Sequence, residues 1–113
     1  MDTHYSLLKI LSEEPQLPQR TLAQKLGISL GKVNFCLSEL AAKGWIKVQR
    51  FQNSQNKVAY AYLLTPRGLE QKARLTMHFL KSKMEEYERL KAEIAELSQE
   101  LENSRNDNAN SND

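Results

Sequence analysis

Cysteine is almost absent from this sequence: Cys36 is the only one in 113 residues. A single thiol excludes an internal disulfide. The two histidines, His4 and His78, stand alone in sequence, and structural zinc takes about four ligands at close spacing, so no metal cluster is expected. Proline and glycine are nearly as scarce, three and four residues respectively, which leaves few points where a helix or strand must stop. No apolar run approaches the ~20 residues needed to span a bilayer, and MDTHYSLLKI has neither the basic start nor the apolar stretch of a signal peptide. A cytoplasmic chain with no membrane partner is expected. Also missing are a carboxylate pair, a nucleophile with a base, and a Gly-rich phosphate loop, so nothing argues for an enzyme or a cofactor.

Acid is missing from one long stretch. Between Pro18 and Arg67 stand eight basic residues, Arg20, Lys25, Lys32, Lys43, Lys47, Arg50, Lys57 and Arg67, against Glu39 alone, although the whole chain carries only +2. Phosphate contacts need local rather than total positive charge, so a basic block in an otherwise acidic chain is the footprint of a nucleic-acid or anionic-surface binder. The bland alternative is a solvated face.

What is there reads as helices first. Leu7, Leu8 and Leu11 recur at helical spacing from Thr3 to about Glu13, and Pro15 blocks continuation. In LPQRTLAQKLG, Pro18 suits the first helical turn, Leu22 and Leu26 stack, and Gly27 supplies a left-handed end. Ser29 caps a third helix that runs to about Lys43 before Gly44. WIKVQR and KVAYAYLLT then alternate apolar residues at strand spacing, with FQNSQN as the turn of a hairpin. Trp45 and either Tyr60 or Tyr62 are expected to anchor that hairpin on the helices.

Thr65 caps, and Pro66 opens, a long helix to about Glu102. Written as heptads, position a falls on Ala73, Leu80, Tyr87, Ile94 and Leu101, and d on Thr76, Lys83, Leu90 and Leu97. The seam is clean from Tyr87 onward. Earlier, Leu69, Met77, Phe79 and Met84 widen the apolar surface, as expected where a helix first packs on its own domain. The last stretch, NSRNDNANSND, is expected to be disordered. The expected organisation is a winged helix-turn-helix domain over residues 1–65, a dimerisation helix over 66–102 and a disordered tail over 103–113. The fold class is mainly α with a small β-hairpin, and Leu80, Tyr87, Leu90, Ile94, Leu97 and Leu101 form a coiled-coil homodimer interface whose direction is open.

The third helix has an unusual outer face. Val33, Leu37 and Leu40 turn to one side, and Gly31, Asn34, Phe35, Ser38 and Ala42 to the other, where a surface helix would normally carry Glu, Lys and Arg. A groove-reading helix avoids carboxylates and bulk. Gly31 permits close approach, Asn34 suits an adenine edge, Ser38 donates or accepts, and Phe35 suits a thymine methyl. Arg20, Lys32, Arg50 and Lys57 are placed for phosphates. Two bland readings stand beside these: Phe35 packing on the wing or a second subunit, and Asn34 simply solvated. Cys36 is read as a buried small hydrophobe and His78 as a surface residue.

QRTLAQKLGISLGKVNFCLSELAAKGWIK followed by LTPRG resembles the MarR-type bacterial transcription regulators. The run from ISLGKVNFCL through GWIK to NKVAYAYLLTPRG and KARLT is most similar to the small MarR-like subfamily associated with exopolysaccharide gene clusters. The resemblance spans roughly residues 5–100. It implies that helix Leu30 to Lys43 enters the major groove of double-stranded DNA, and that the loop around Asn53 to Lys57 is the wing tip. On that basis the DNA-binding set is Arg20, Ser29, Gly31, Lys32, Asn34, Phe35, Ser38, Arg50, Asn53, Asn56 and Lys57. The tip FQNSQNK departs from the family, whose members carry an Asp and Arg pair there. Members are also longer and hold phenolic inducers in a helical cleft, whereas this chain offers one C-terminal helix, so no small-molecule ligand is expected. The rival from another class is a protein-interaction module that docks a partner through the coil.

Overall fold

A computed structural model describes residues 2–111 of the chain. It has the element order α1 (Thr3–Glu13), α2 (Gln19–Leu26), α3 (Leu30–Ala42), β1 (Ile46–Gln52), β2 (Val58–Leu64) and α4 (Pro66–Ser111). The helical boundaries follow local chemistry. Asp2 caps α1 by accepting from the Tyr5 amide at 2.7 Å, and Ser29 caps α3 by accepting from the Lys32 amide at 3.1 Å. Each satisfies one of the amides a helix start leaves unpaired. At Gly27 the backbone turns left-handed, φ 66°, and the Ile28 amide returns to the Ala23 carbonyl. This closes α2 and leaves a three-residue turn into α3, the spacing of a helix-turn-helix pair.

α1, α2 and α3 bury one core. Leu7, Leu8, Leu11, Leu22, Val33 and Leu40 are its largest fully buried side chains, and Cys36 lies in the same cluster. β1 and β2 pair antiparallel with Ile46 opposite Leu64, Val48 opposite Tyr62 and Arg50 opposite Tyr60. The outer edge of β2 is held by the Tyr62 amide, which donates to the Pro15 carbonyl at 2.8 Å. Tyr62 is the tyrosine that anchors the hairpin, at 6% exposure, while Tyr60 is exposed. Trp45 packs against the core with it. Both tyrosines satisfy the same alternation, and only docking on the helices separates them.

The chain divides into two compact units, one ending at Met77 and the other beginning at His78. The first unit therefore takes in the opening of α4, beyond the expected boundary at residue 65. The residues that do this are Leu75, packed against the core, and Thr76, whose hydroxyl meets the Tyr5 hydroxyl at 3.1 Å and donates to the Lys72 carbonyl. Leu69 and Met77, expected to pack here, are exposed instead, because the helix turns Leu75 rather than these two toward the core.

The second unit is helix throughout its described residues. α4 is 46 residues long, about 69 Å at 1.5 Å per residue. It continues past Glu102 through the stretch expected to be disordered, as far as Ser111; residues 112–113 lie outside the described residues. Asparagine is a weak helix former but not a stop signal. The stretch has no proline or glycine, and Gln99 donates to Asn103 across one turn at 3.1 Å. No described side chain from His78 to Ala109 is buried. Leu80, Met84, Tyr87, Leu90, Ile94, Leu97 and Leu101 are all exposed. His78 is exposed too, its ring edge-on to Phe79. No helix among the described residues is long and apolar enough to cross a membrane.

Candidate nucleic-acid interface

α3 presents four distinct sides. Val33, Leu37 and Leu40 are buried, Asn34, Ser38 and Ala41 line a cleft shared with the hairpin, and Cys36 and Glu39 lie toward His4 of α1. Gly31, Phe35 and Ala42 remain on the open face, with Phe35 63% exposed. That exposure removes one of the alternatives for Phe35: it does not pack on the wing of its own chain. Nothing stands within 4 Å of where a Cβ on Gly31 would be, so the helix surface is open there.

The cleft between α3 and the hairpin has a volume of about 360 Å³ and is lined by Gln19, Asn34, Ser38, Val48, Tyr60 and Tyr62, among others. Cross-strand partners share a face of the sheet, so Arg50, opposite Tyr60, stands on the cleft side of the hairpin. Across the cleft runs a short chain of hydrogen bonds. The Asn34 amide donates to Gln19 Oε1 at 3.3 Å, and the Gln19 amide donates to the Tyr62 hydroxyl at 3.0 Å. Asn34 is thus neither a free reader nor simply solvated in this state; its amide is already aimed by α2.

The wing tip is organised by Asn53. Its side-chain oxygen accepts from the amides of Gln55 and Lys57, both at 3.0 Å, while its own amide donates to the Lys57 carbonyl. Asn53, expected as a contact residue, has its side-chain oxygen committed to shaping the loop. Asn56 takes a left-handed conformation, φ 62°, which asparagine tolerates better than other side-chain-bearing residues. Asn53 and Lys57 line a second cleft together with Gln19 and Tyr60.

Charge sorts the basic block in two. Lys25 pairs with Glu14 at 3.6 Å, and Lys43 lies over the Trp45 ring at 4.9 Å. Among the described residues no acid pairs with Arg20, Lys32, Arg50 or Lys57, and all four are exposed. The block's one acid, Glu39, faces α1 and meets His4 Nε2 at 3.1 Å.

The fold brings together Asn34 and Ser38 around one cleft, with Arg50 further along the same side of the hairpin, and Asn53 and Lys57 around the other. Ser29 at the cap of α3 and Gly31, Lys32 and Phe35 along it line neither cleft, and Arg20 stands on α2 beside Gln19. Gln19, and its bond to the Tyr62 hydroxyl, have no counterpart in the sequence reading. A glutamine next to a helix-opening proline carries no signal of a bond to a residue 43 positions away. Cys36 is buried as expected, and its thiol is pushed above its ordinary pKa by burial first and then by Glu39, with Lys32 opposing.

Residues 2–47 match a family model described as winged helix-turn-helix DNA-binding. No curated protein matches the chain. Among solved structures, the chain is similar to a PadR-like transcriptional regulator from Bacillus cereus, at 21% identity and TM-score 0.66, covering 72% of this chain and 84% of that one. It is also similar to the PcaV transcriptional regulator from Streptomyces coelicolor in complex with its natural ligand, at 24% identity and TM-score 0.59, covering 72% and 56%. A third is FabT from Streptococcus pneumoniae in complex with DNA, at 25% identity and TM-score 0.53, covering 74% and 56%. The aligned part of this chain spans little more than half the length of PcaV and FabT. With α2 and α3 joined through Gly27, a hairpin docked beside α3 and this match over residues 2–47, the first unit is a winged helix-turn-helix domain.

Proposed function

We propose that this chain is a MarR-type, sequence-specific regulator of transcription that binds double-stranded DNA as a homodimer. α3 reads the major groove and the hairpin contacts the backbone beside it. The observation that carries this reading is the outward face of α3. Gly31, Asn34, Phe35 and Ser38 are exposed without a carboxylate among them, next to Arg20, Lys32, Arg50 and Lys57, which no acid neutralises. A face of that composition repels nothing on a phosphate-lined groove and leaves base edges within reach. The similar chains named as transcriptional regulators, one of them solved with DNA, support the same class.

The dimer is proposed through the exposed stripe of α4. Its apolar residues step from Met77 to Leu101 at intervals of 3, 4, 3, 3, 4, 3 and 4. Two consecutive threes at Tyr87 break the heptad once, as a stammer that overwinds the pair locally. Two recognition helices related by a twofold axis call for a palindromic operator with half-sites about 34–36 Å apart. Promoters of exopolysaccharide gene clusters are the proposed location, and no small-molecule inducer is part of the proposal.

Binding-site selection from random duplexes, followed by fluorescence anisotropy on the selected site, tests the reading. If each protomer neutralises about four phosphates, log K falls with log salt at a slope of about −7. Affinity then drops about 10⁴-fold between 50 and 200 mM salt. A flat salt response, or no sequence enriched over the starting pool, would count against DNA binding and leave the coil as a docking element for a partner protein.

Phe35→Ala separates reading from packing. The expected result is a loss of preference at one base position, worth about 1–3 kcal/mol, with the salt slope and melting temperature nearly unchanged. If the variant instead loses stability with its specificity intact, the ring belongs to a subunit contact, and Asn34 and Ser38 carry the reading.

A further inference from the structure

The sequence offered no metal cluster, because Cys36 is 32 residues from His4 and neither has a ligand-spaced companion. Folding removes that objection. Cys36 and Glu39 lie three residues apart on one side of α3, and α1 brings the His4 ring up to them. The imidazole, thiol and carboxylate ligand atoms all lie within 4.8 Å of one another, with His4 Nε2 only 3.1 Å from Glu39 Oε1.

We propose that His4, Cys36 and Glu39 form a binding site for a zinc-class divalent cation. Ligand atoms around a tetrahedral zinc lie about 3.3–3.7 Å apart, given metal–ligand bonds of about 2.0–2.3 Å. The His4 to Glu39 separation, 3.1 Å, falls just short of that range, and bringing the widest separation within it takes a movement of about 1 Å. His4 and Glu39 are suited to make it, because their side chains are 27% and 37% exposed. Cys36 is 4% exposed, so its sulfur forms the protein-side floor of the site and the cation enters from the solvent side between the other two. One nitrogen, one sulfur and one oxygen suit the borderline zinc ion better than calcium or magnesium, which take oxygen ligands. The fourth position is left to water.

The proton balance is simple. With His4 neutral, its one N–H proton moves from Nε2 to Nδ1 and frees Nε2 for the cation, Glu39 gives up that hydrogen bond for the metal, and the one proton released to solvent comes from the Cys36 thiol. No electron transfer is involved. A loaded site ties the first turn of α1 to α3 on the side away from the hairpin, one turn beyond Phe35. The proposal does not depend on the DNA reading, because its test measures metal directly.

Cobalt(II) replaces zinc and reports its ligands. Titration of the reduced full-length chain is expected to saturate at one cobalt per chain. It should give a near-ultraviolet thiolate-to-cobalt charge-transfer band and the strong visible bands of a tetrahedral ion, all of which zinc abolishes. Cys36→Ser should remove the charge-transfer band. His4→Gln and Glu39→Gln, at partly exposed positions that leave the core intact, should each weaken cobalt binding tenfold or more. Far-ultraviolet circular dichroism checks that each variant is folded. Absence of the charge-transfer band at saturating cobalt overturns the proposal. So does wild-type affinity in both His4→Gln and Glu39→Gln, which would reduce the cluster to an ion pair beside a buried thiol.

Discussion

Gly68→Ala is expected to destabilise the first unit by about 3 kcal/mol, seen as a fall in melting temperature of about 12–24 °C. The cause is a contact between two stretches of backbone. Thr65 donates its amide to the Trp45 carbonyl at 3.0 Å and its hydroxyl to the Gly44 carbonyl at 2.6 Å, and accepts from the Gly68 amide at 3.0 Å. These bonds draw the first turn of α4 onto the end of α3 and the start of β1. A Cβ on Gly68 would stand 1.9 Å from the Trp45 oxygen and 2.8 Å from its carbonyl carbon. Neither atom is the end of a flexible side chain, so the turn must separate and its bonds lengthen.

Gly31→Ala is the internal control. The same substitution within α3 meets nothing within 4 Å and replaces the poorest non-proline helix former, so it should stabilise by about 0.5–1 kcal/mol. Differential scanning calorimetry on the two variants decides the matter. If Gly68→Ala melts with the wild type, α4 is not held at Trp45 in the way described.

Leu90→Asp combined with Leu97→Asp is expected to convert the protein to monomers and to weaken operator binding by about 10²–10⁴-fold. Those are the factors at stake when two linked half-sites become independent. Leu90 and Leu97 are 49% and 64% exposed, as are their neighbours on the stripe within similar limits, so within a single chain nothing covers them. A helix this long and this polar gains most of its stability from packing its apolar side. Far-ultraviolet helicity should therefore fall along with the dimer. Surface pairs do not compensate. The Lys83 to Glu86 bridge, at 3.1 Å within one helix, is exposed and of the kind that contributes little. Sedimentation velocity gives the answer, and a variant that still sediments as a dimer places the seam elsewhere. A wild-type chain that is monomeric would point to a different partner for α4.

Much of the fold is legible because its signals are local. Gly27, Ser29, Gly44 and Pro66 each act within a few residues of themselves. They mark where helices and strands begin and end, and α1, α2, α3 and the hairpin follow these signals closely. The end of α4 was not legible. A run of asparagines reads as disorder by composition, yet contains nothing that forbids a helix.

The candidate interface divides along the same line. That Gly31, Asn34, Phe35 and Ser38 share the outward side of α3 follows from helical period and the position of Val33, Leu37 and Leu40. The Asn34–Gln19–Tyr62 bonds do not follow, because they join residues 15 and 43 positions apart.

By itself, the sequence determined the elements, the core side of each helix, the basic block and the apolar stripe of α4, because periodicity and charge are properties of neighbouring residues. Tertiary structure alone decided that Tyr62 and not Tyr60 is buried and that Leu75 and Thr76 bind the start of α4 to the first unit. It also decided that Gly68 must lack a side chain and that His4 meets Cys36 and Glu39. Each of these pairs elements far apart in the chain, and their meeting depends on how whole helices dock, which local pattern does not encode.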